Sequence, residues 1–464
     1  MRSTRRAFHI ADLEPKERHL VEAAFRSGQL RVLAATTTMA MGVNSKTDAV
    51  IIVDATFYQG HGRPERDLRL SEYRNMGGRA GRLVVGGPRE GESYLIARNG
   101  VNAEALWRRY LDAQPAGLRS SLDGEPLEDL ALALLHIRGE AGLQQLADDI
   151  AATFWGYNAR HDDQWLPDLR RRLDGALRSL QAGGFVVVTT PPQFGLSPVG
   201  RVCAAFGLRS ESARRLQQGV ARVIRTGEPV DEVVLLALAE LTVELQEVMM
   251  PPAGGAVAID WPVGRRGVLN DRPETYAALL DRTGLAPADA DRFIADRLHR
   301  FAGIVGWLQS TPLRAIERAY ARRPGDEPVL ARLRGAVDRT ADLLAAIIAV
   351  IRTIDHAKGD VLLQIAPGLR ARLEVGGDAG MSRLHRLRLG LSRPECLTLA
   401  RLGIDGDAAL REALRTRRAD LEAALSTPGV ADLERRLTDP RLTRRRRLGD
   451  DQLLLDLVAG LTQV

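Results

Sequence analysis

The amino-acid sequence predicts an α/β region followed by a mostly α-helical region. Three short runs of β-branched and aliphatic residues lie in the first hundred positions, at 30–35, 49–55 and 92–97. Helical patterns separate these runs, and that order is typical of an open parallel sheet. From Leu127 to the C-terminus, apolar residues recur mainly at helical spacing. We therefore expect a partial parallel sheet, then a small unit of helices with a hairpin, then a helical bundle.

The elements of the α/β region follow from local patterns. Residues 15–27 carry apolar side chains at helical spacing, and Gly28 ends the pattern. The run AVIIVDA at 49–55 is nearly continuous and predicts a parallel strand buried on both faces. Residues 57–70 then interrupt the sheet with Gly, His and Pro. A surface connection and a projecting hairpin both fit this segment.

The next part of the chain has the pattern of a winged helix. Helical patterns cover 127–136, 143–154 and 165–181, and two short strands around a Pro-Pro turn follow at 185–197. Three helices and a terminal hairpin form a variant of the helix-turn-helix DNA readers. Because such a unit also serves as plain scaffold, the pattern leaves both roles open.

The remaining sequence is helical. Residues 228–250 predict one long apolar helix, and 251–273 read as a Gly- and Pro-rich linker. The segment 387–404 holds two Gly-containing turns around a short helix. It fits a helix-hairpin-helix, whose turn offers N–H groups to phosphate, and it also fits a plain helical hairpin. Four arginines at 444–447 are either a solvated charge patch or a nucleic-acid contact.

Composition narrows the class of partner. The 464 residues carry a net charge of +6 and a pI of about 9.7, which favours polyanions. Cys203 and Cys396 are far apart and have no CxxC spacing, so neither a zinc site nor a disulfide framework is predicted. We expect a reducing, cytoplasmic location. No apolar run approaches the ~20 residues that span a bilayer, so we expect no membrane segment.

The string YRNMGGRAGR at 73–82 is the most informative motif. Arg79 and Arg82 lie three residues apart among glycines. A guanidinium group binds phosphate oxygens two at a time and keeps its charge. Glycines let the backbone approach a bulky anion. The motif therefore predicts a phosphate clamp.

A second motif, VLAATTTMAMGVN at 32–44, follows the first predicted strand. The hydroxyl groups of Thr36, Thr37 and Thr38 suit the phosphates of a nucleic-acid backbone, a contact that positions without reading sequence. Gly42 permits close approach to a nucleotide. In isolation, the threonines would be no more than a good helix N-cap.

The order of these motifs resembles the second RecA-like domain of superkiller-type superfamily 2 helicases. HIADL, ER, VE and FRSG precede the two strings above in the family's order, and the match covers roughly residues 8–98. LSPVGR at 196–201 is similar to the end of the family's winged helix. The resemblance implies a partial RecA-like domain at 1–115, a winged helix at 120–210, a ratchet-like helical domain at 211–380 and a C-terminal helical region at 381–464.

The resemblance also implies roles for single residues. Arg82 would be the arginine finger and Arg79 a second contact to the γ-phosphate, charges worth ~10³ to 10⁵ in rate. The three threonines would touch the backbone of the tracked strand. Residues 57–70 would hold a strand-separating hairpin. The nucleotide cleft would include Gly42, Asn44, Asn75 and Gly78. Asn75 stands where many relatives carry glutamine, which has a longer reach.

Part of the motor is not recognisable in the sequence. The three lysines are Lys16, Lys46 and Lys358, and none follows glycine and precedes Ser or Thr as in a P-loop. The letters DEVV at 231–234 have the wrong place and order for a DExx box. We also expect the first strand of the RecA-like sheet to be missing. ATP and Mg²⁺ would therefore bind only with an N-terminal RecA-like domain or subunit.

We thus expect the C-terminal part of an ATP-dependent helicase that acts together with such an N-terminal domain. The alternatives are a non-catalytic nucleic-acid-binding module and an inactive truncated product. DNA is favoured over RNA, because DNA-unwinding relatives combine a winged helix with a helix-hairpin-helix.

Overall fold

A computed structural model describes the chain in two compact units, Met1–Leu118 and Arg119–Val464. The residues described are 5–10, 13, 15–36, 47–57, 66–81, 90–115, 117–248, 250, 267–283, 285–320, 329–387 and 389–438. Within them, no helix has both the length and the apolar content needed to cross a membrane.

The first unit is built on two pairs of parallel strands. Strand β1 (Arg6–His9) pairs with β2 (Val32–Ala35), and helix α1 (Pro15–Arg26) connects them. Strand β3 (Ala49–Ile52) pairs with β6 (Glu92–Leu95). The parallel order predicted from the sequence is therefore present. The sequence did not predict β1, because the segment RAFH has little apolar character.

Shorter elements complete the first unit. Strand β4 (Thr56–Phe57) pairs antiparallel with β5 (Arg66–Asp67), which forms the base of a hairpin. Helix α2 (Leu70–Gly77) follows directly. Helix α3 (Gly100–Leu106) continues into a π-helical turn at Trp107–Leu111. A small core of buried apolar residues joins these elements: Ile52, Ala55, Leu68, Tyr73 and Tyr110.

The second unit begins with helices around a small antiparallel sheet. The helices are α4 (Leu127–Arg138), α5 (Leu143–Ala151), α6 (Phe154–Ala159) and α7 (Trp165–Ala182). The strands are β7 (Glu140–Gly142), β8 (Val186–Val188) and β9 (Gln193–Leu196), in the order β7-β9-β8. Helix α7 buries one leucine stripe at helical spacing, formed by Leu169, Leu173, Leu177 and Leu180.

Nine further helices extend the same core. They are α8 (Pro198–Phe206), α9 (Ser210–Thr226), α10 (Glu232–Ala239), α11 (Val243–Gln246), α12 (Pro273–Leu279), α13 (Ala290–Leu308), α14 (Leu313–Tyr320), α15 (Leu330–Ile354) and α16 (His356–Val375), as far as the described residues show. Helix α15 packs against α8, α9, α10, α13 and α16. The apolar stretch 343–351 is buried within it, as the sequence predicted.

The single long helix predicted at 228–250 is wrong. The chain turns between α10 and α11, where the Thr242 hydroxyl donates to the Ala239 carbonyl at 2.7 Å. The same oxygen accepts from the Leu245 N–H at 3.3 Å and so caps α11. The sequence pattern did not show this break, because both short helices are buried and apolar residues therefore continue across it.

The last described helices have a separate apolar cluster, which includes Met381, Leu384, Cys396 and Leu399. They are α17 (Ala379–Arg386), α18 (Arg393–Arg401), α19 (Asp407–Thr416), α20 (Arg418–Leu425) and α21 (Thr427–Thr438). The arginines at 444–447 lie outside the described residues.

A joint of stacked side chains connects this cluster to the bundle. The Arg393 guanidinium lies 4.3 Å from the Trp307 ring centroid. Arg393 also donates to the Gly376 carbonyl at 2.7 Å and to the Thr311 carbonyl at 2.8 Å. A Cβ on Gly376 would lie 2.2 Å from Trp307, so this contact requires glycine.

Candidate functional site

Helix α2 and the turn after it carry the predicted phosphate clamp. The helix ends at Gly77, and the Gly78 N–H donates to the Arg74 carbonyl at 2.8 Å. The Arg79 N–H then donates to the Met76 carbonyl at 3.2 Å. These bonds tighten the end of the helix. Arg79 therefore lies immediately beyond the C-terminus of α2, and it is partly buried.

Glycine is required for the packing of α2 on the sheet. A Cβ on Gly77 would lie 2.9 Å from the Ser93 Oγ of β6. The absence of a side chain lets the end of α2 lie close to the β3–β6 pair. The position of the turn is thus set by the strands.

Thr47 fixes the turn from a second side. Its hydroxyl donates to the Arg79 carbonyl at 3.2 Å. The Gly81 N–H donates back to the Thr47 carbonyl at 3.2 Å, and Thr47 forms a parallel bridge with Ala80. The backbone that carries Arg79 is therefore held by the segment just before β3.

The structure describes four of the nine predicted site residues. Arg79 is placed as above, Asn75 and Gly78 are exposed on α2 and the turn, and Thr36 is exposed after β2. The Thr36 N–H donates to the His9 carbonyl at 3.2 Å, which extends the β1–β2 ladder. The remaining predicted site residues lie outside the described part of the chain: Thr37, Thr38, Gly42, Asn44 and Arg82.

An ion pair beside the predicted phosphate clamp was not predicted from the sequence. Arg66 of β5 binds Glu72 of α2 through two hydrogen bonds, from Nη1 to Oε2 at 2.7 Å and from Nη2 to Oε1 at 2.6 Å. Glu72 also accepts from the Arg69 N–H at 2.8 Å. The hydrogen bonds from Arg66 lower the pKa of Glu72 to about 2. The two residues lie six positions apart across a strand-to-helix junction, so no helical spacing rule pairs them.

The DEVV segment has a local structural role. The Asp231 carboxylate accepts from the Val233 N–H at 2.9 Å and caps α10. Arg272 donates to the same carboxylate at 3.1 and 2.5 Å. Asp231 thus acts as a helix cap held by an arginine.

Comparison with known proteins supports the motif assignments. The profile of the helicase conserved C-terminal domain matches residues 4–84. The chain is 30% identical over 346 residues to the ATP-dependent DNA helicase Hel308 of Pyrobaculum calidifontis, which covers 74% of this chain and 44% of that protein. It is 25% identical over 432 residues to the Hel308 of Methanocella arvoryzae, with coverage of 92% and 53%.

A shorter match extends the comparison to an animal protein. Over 131 residues the chain is 37% identical to mouse DNA polymerase theta, which covers 28% of this chain and 5% of that protein. The chain spans about half the length of the two Hel308 proteins compared above. The chain is thus identified as the C-terminal portion of a superfamily 2 helicase of the superkiller type.

Proposed function

We propose that this chain supplies the second half of an ATP-dependent DNA helicase motor, which works together with an N-terminal RecA-like domain. The observation that carries the proposal is the fixed turn after α2. There, Thr47 and the end of the helix hold the backbone of Arg79 from two sides. A pre-positioned cation stabilises a phosphoryl transition state without reorganisation during the reaction.

The chemistry of this turn fits the phosphates of ATP. Arg79 and Arg82 would contact the γ-phosphate, with Arg82 as the finger. Asn75, Gly78, Gly42 and Asn44 would line the same cleft. Guanidinium and backbone N–H groups suit phosphate oxygens. Mg²⁺ and the cradle for the other phosphates would come from the N-terminal domain, which supplies the rest of the hydrolytic chemistry.

The proposed DNA track begins at the end of β2. Thr36 is exposed there, and Thr36, Thr37 and Thr38 would hold the backbone of one strand. The two Hel308 relatives are ATP-dependent DNA helicases, which supports DNA as the substrate. The hairpin based on β4 and β5 would separate the strands.

The second unit would provide further DNA contacts. The order α4-β7-α5-α7-β8-β9, with its antiparallel sheet, supports a winged helix at 120–210. Helix α7 exposes Arg171, Arg172 and Arg178 on its outer face. We assign 211–380 to a ratchet-like domain. Helices α17 and α18, with Gly390 between them at φ 66°, support a helix-hairpin-helix in 381–464. Two buried free cysteines fit a cytoplasmic location.

The second candidate is a nucleic-acid-binding module that does not use ATP. The exposed arginines of α7 favour it, because phosphate contacts at that surface need no nucleotide. Both candidates predict binding that weakens as salt rises, and only the first predicts hydrolysis.

Reconstitution of the motor tests the proposal. The chain alone should hydrolyse no ATP above background. Joined to the N-terminal part of the Pyrobaculum calidifontis relative, it should hydrolyse ATP when single-stranded DNA is added. Arg79→Ala and Arg82→Ala should each lower kcat by about 10³-fold and leave DNA binding intact.

Arg108→Ala is the matched control, because Arg108 is exposed and pairs with Glu104 one helical turn away. It should leave kcat unchanged. Hydrolysis by the chain alone, or an unchanged kcat in the Arg79 variant, would contradict the proposal.

A further inference from the structure

The base of the β4–β5 hairpin is tied to the helix that carries Arg79. The tie is the two-fold hydrogen bond between Arg66 and Glu72, which we call the clasp. Arg66 is the first residue of β5, and Glu72 lies in the first turn of α2. A planar guanidinium bound through two nitrogens fixes orientation as well as distance. The clasp therefore fixes the angle between hairpin and helix.

A second set of contacts surrounds the same junction. Asp67, next to Arg66 on β5, forms an ion pair with Arg109 of the π-helical turn. The buried Tyr110 hydroxyl donates to the Leu68 carbonyl at 2.8 Å. The Tyr110 ring packs on Tyr73 of α2, with centroids 4.9 Å apart. The hairpin base, the start of α2 and this turn thus form one connected body.

The clasp lies at one end of α2, and Arg79 lies just beyond the other. The helix has eight residues, so it is about 12 Å long. A helix of two turns moves as a rigid rod. A change in the position of Arg79 would therefore reach the hairpin base through the clasp together with the contacts of Asp67 and Tyr110, and the reverse also holds.

The clasp lies close to solvent and is not part of the apolar core of the first unit. The Arg66 and Glu72 side chains remain 28% and 30% exposed. The apolar contacts of the unit come instead from buried residues such as Ile52, Leu68 and Tyr73. In addition, the Arg69 N–H already gives Glu72 a role as helix cap that does not need Arg66. The first turn of α2 is thus already capped, and the hydrogen bonds from Arg66 fix its orientation relative to β5.

We propose that Arg66 and Glu72 are positioning residues that couple the nucleotide site at Arg79 to the hairpin. In this arrangement, α2, the turn that carries Arg79 and the hairpin base move together relative to the N-terminal domain during ATP turnover, and this movement reaches the point where the strands separate. This inference rests on the proposed function. Without the clasp, the motor hydrolyses ATP and moves along DNA but converts fewer turnovers into separated base pairs.

The first test uses the chain as it stands. Arg66→Met removes the clasp and keeps the cap from Glu72 to the Arg69 N–H. Amide hydrogen exchange at residues 56–57 and 66–68 should become about fivefold faster, the loss expected for one partly exposed ion pair. Exchange in the core strand β3 should stay constant. Arg98→Met is the matched control, because Arg98 forms an ion pair with Asp54 in the same unit but is exposed.

The second test measures coupling in the reconstituted motor. Arg66→Met should lower the base pairs separated per ATP several-fold, while DNA-stimulated hydrolysis keeps its kcat and KM. The exchange Arg66→Glu with Glu72→Arg should restore only part of the yield, because it rebuilds the pair with reversed polarity but removes the cap from Glu72 to the Arg69 N–H. The unchanged kcat and KM of Arg66→Met separate a loss of coupling from a general structural defect.

The outcomes separate the inference from the proposed function. No hydrolysis by the unsubstituted motor would overturn the proposed function and the coupling with it. Normal hydrolysis with an unchanged yield in Arg66→Met would overturn the coupling alone. An equal fall in hydrolysis and unwinding would also overturn it, since that result indicates a general loss of structure.

Discussion

The two units use the same pair of residue types in opposite environments. In the first unit, Arg66 and Glu72 are 28% and 30% exposed. In the second, Arg300 and Glu240 are 1% and 0% exposed, with Nε and Oε2 2.9 Å apart. Hydrogen bonds from Arg66 lower the pKa of Glu72 to about 2. Burial raises the pKa of Glu240, although Arg300 opposes the rise.

The difference shows that the environment of an ion pair decides its effect on stability. Near water, the carboxylate of Glu72 keeps part of its solvation and gains two hydrogen bonds from Arg66. Within the bundle, Glu240 loses its solvation, and its Oε1 has no hydrogen-bond partner among the described residues. Arg300 Nη1 donates to the Val248 carbonyl at 3.0 Å. The buried pair therefore specifies how α10 and α13 meet, at a cost in desolvation.

Removing one buried partner should produce the largest effect. Arg300→Met removes the guanidinium that is hydrogen-bonded to the buried Glu240 and should lower the free energy of unfolding of the second unit by about 3–5 kcal/mol. Urea denaturation followed by hydrogen exchange in α13 measures this loss. The double variant with Glu240→Leu should recover part of it, because neither member of this pair is then desolvated, while Arg297 stays buried beside the site. A loss below about 1 kcal/mol in the single variant would contradict the burial argument.

The two pairs should also respond to pH in opposite directions. The pKa of Glu240 rises from an ordinary 4.5 to about 7 on folding, so its contribution is present below pH 4.5 and is lost as pH rises towards 7. The pKa of Glu72 falls from 4.5 to about 2, so its contribution is present above pH 4.5 and is lost as pH falls towards 2. Unit-resolved hydrogen exchange between pH 3 and 8 should show the two trends. Glu72→Gln should remove the acid-side trend in the first unit only.

The smallest effect should come from the most exposed of the three pairs, Arg98 and Asp54. Arg98 and Asp54 are 79% and 51% exposed, with their closest atoms 3.3 Å apart. Arg98→Met should change the free energy of unfolding of the first unit by less than about 0.5 kcal/mol, because water screens such a pair. Thermal and urea denaturation give the value. A larger loss would contradict the relation between the exposure of an ion pair and its effect on the free energy of unfolding.

The sequence predicted the local elements better than their contacts. Strands β2, β3 and β6 were expected, because short aliphatic runs between helical patterns are a local signal. Strand β1 was missed, since it gains its identity only by pairing with β2. The break at Thr242 was missed because apolar residues continue across it. For strand β1 and for the break at Thr242, the secondary structure depends on tertiary contacts, which a local sequence pattern does not contain.

The candidate site shows the same difference between local motifs, which the sequence predicted, and long-range contacts, which it did not. The residue types of the motif predict Arg79 as a phosphate contact, and the family resemblance adds Asn75 and Gly78; these roles stay predictions. The bonds from Thr47 that hold the turn were not predictable, since they join positions 32 residues apart. The clasp depends on the hairpin register, which places Arg66 opposite Phe57. No pattern within a single element contains that information.

The joint between Trp307 and Arg393 has a consequence for the proposed DNA contacts of the second unit. Arg393 is the first residue of α18, and its guanidinium lies on an indole that belongs to α13. The last helices are therefore held against the bundle by direct side-chain contacts, and not by the connecting chain alone. If the proposed DNA contacts form at the outer face of α7 and at the start of α18, we expect the distance between them, and with it the length of DNA that the second unit covers, to stay constant.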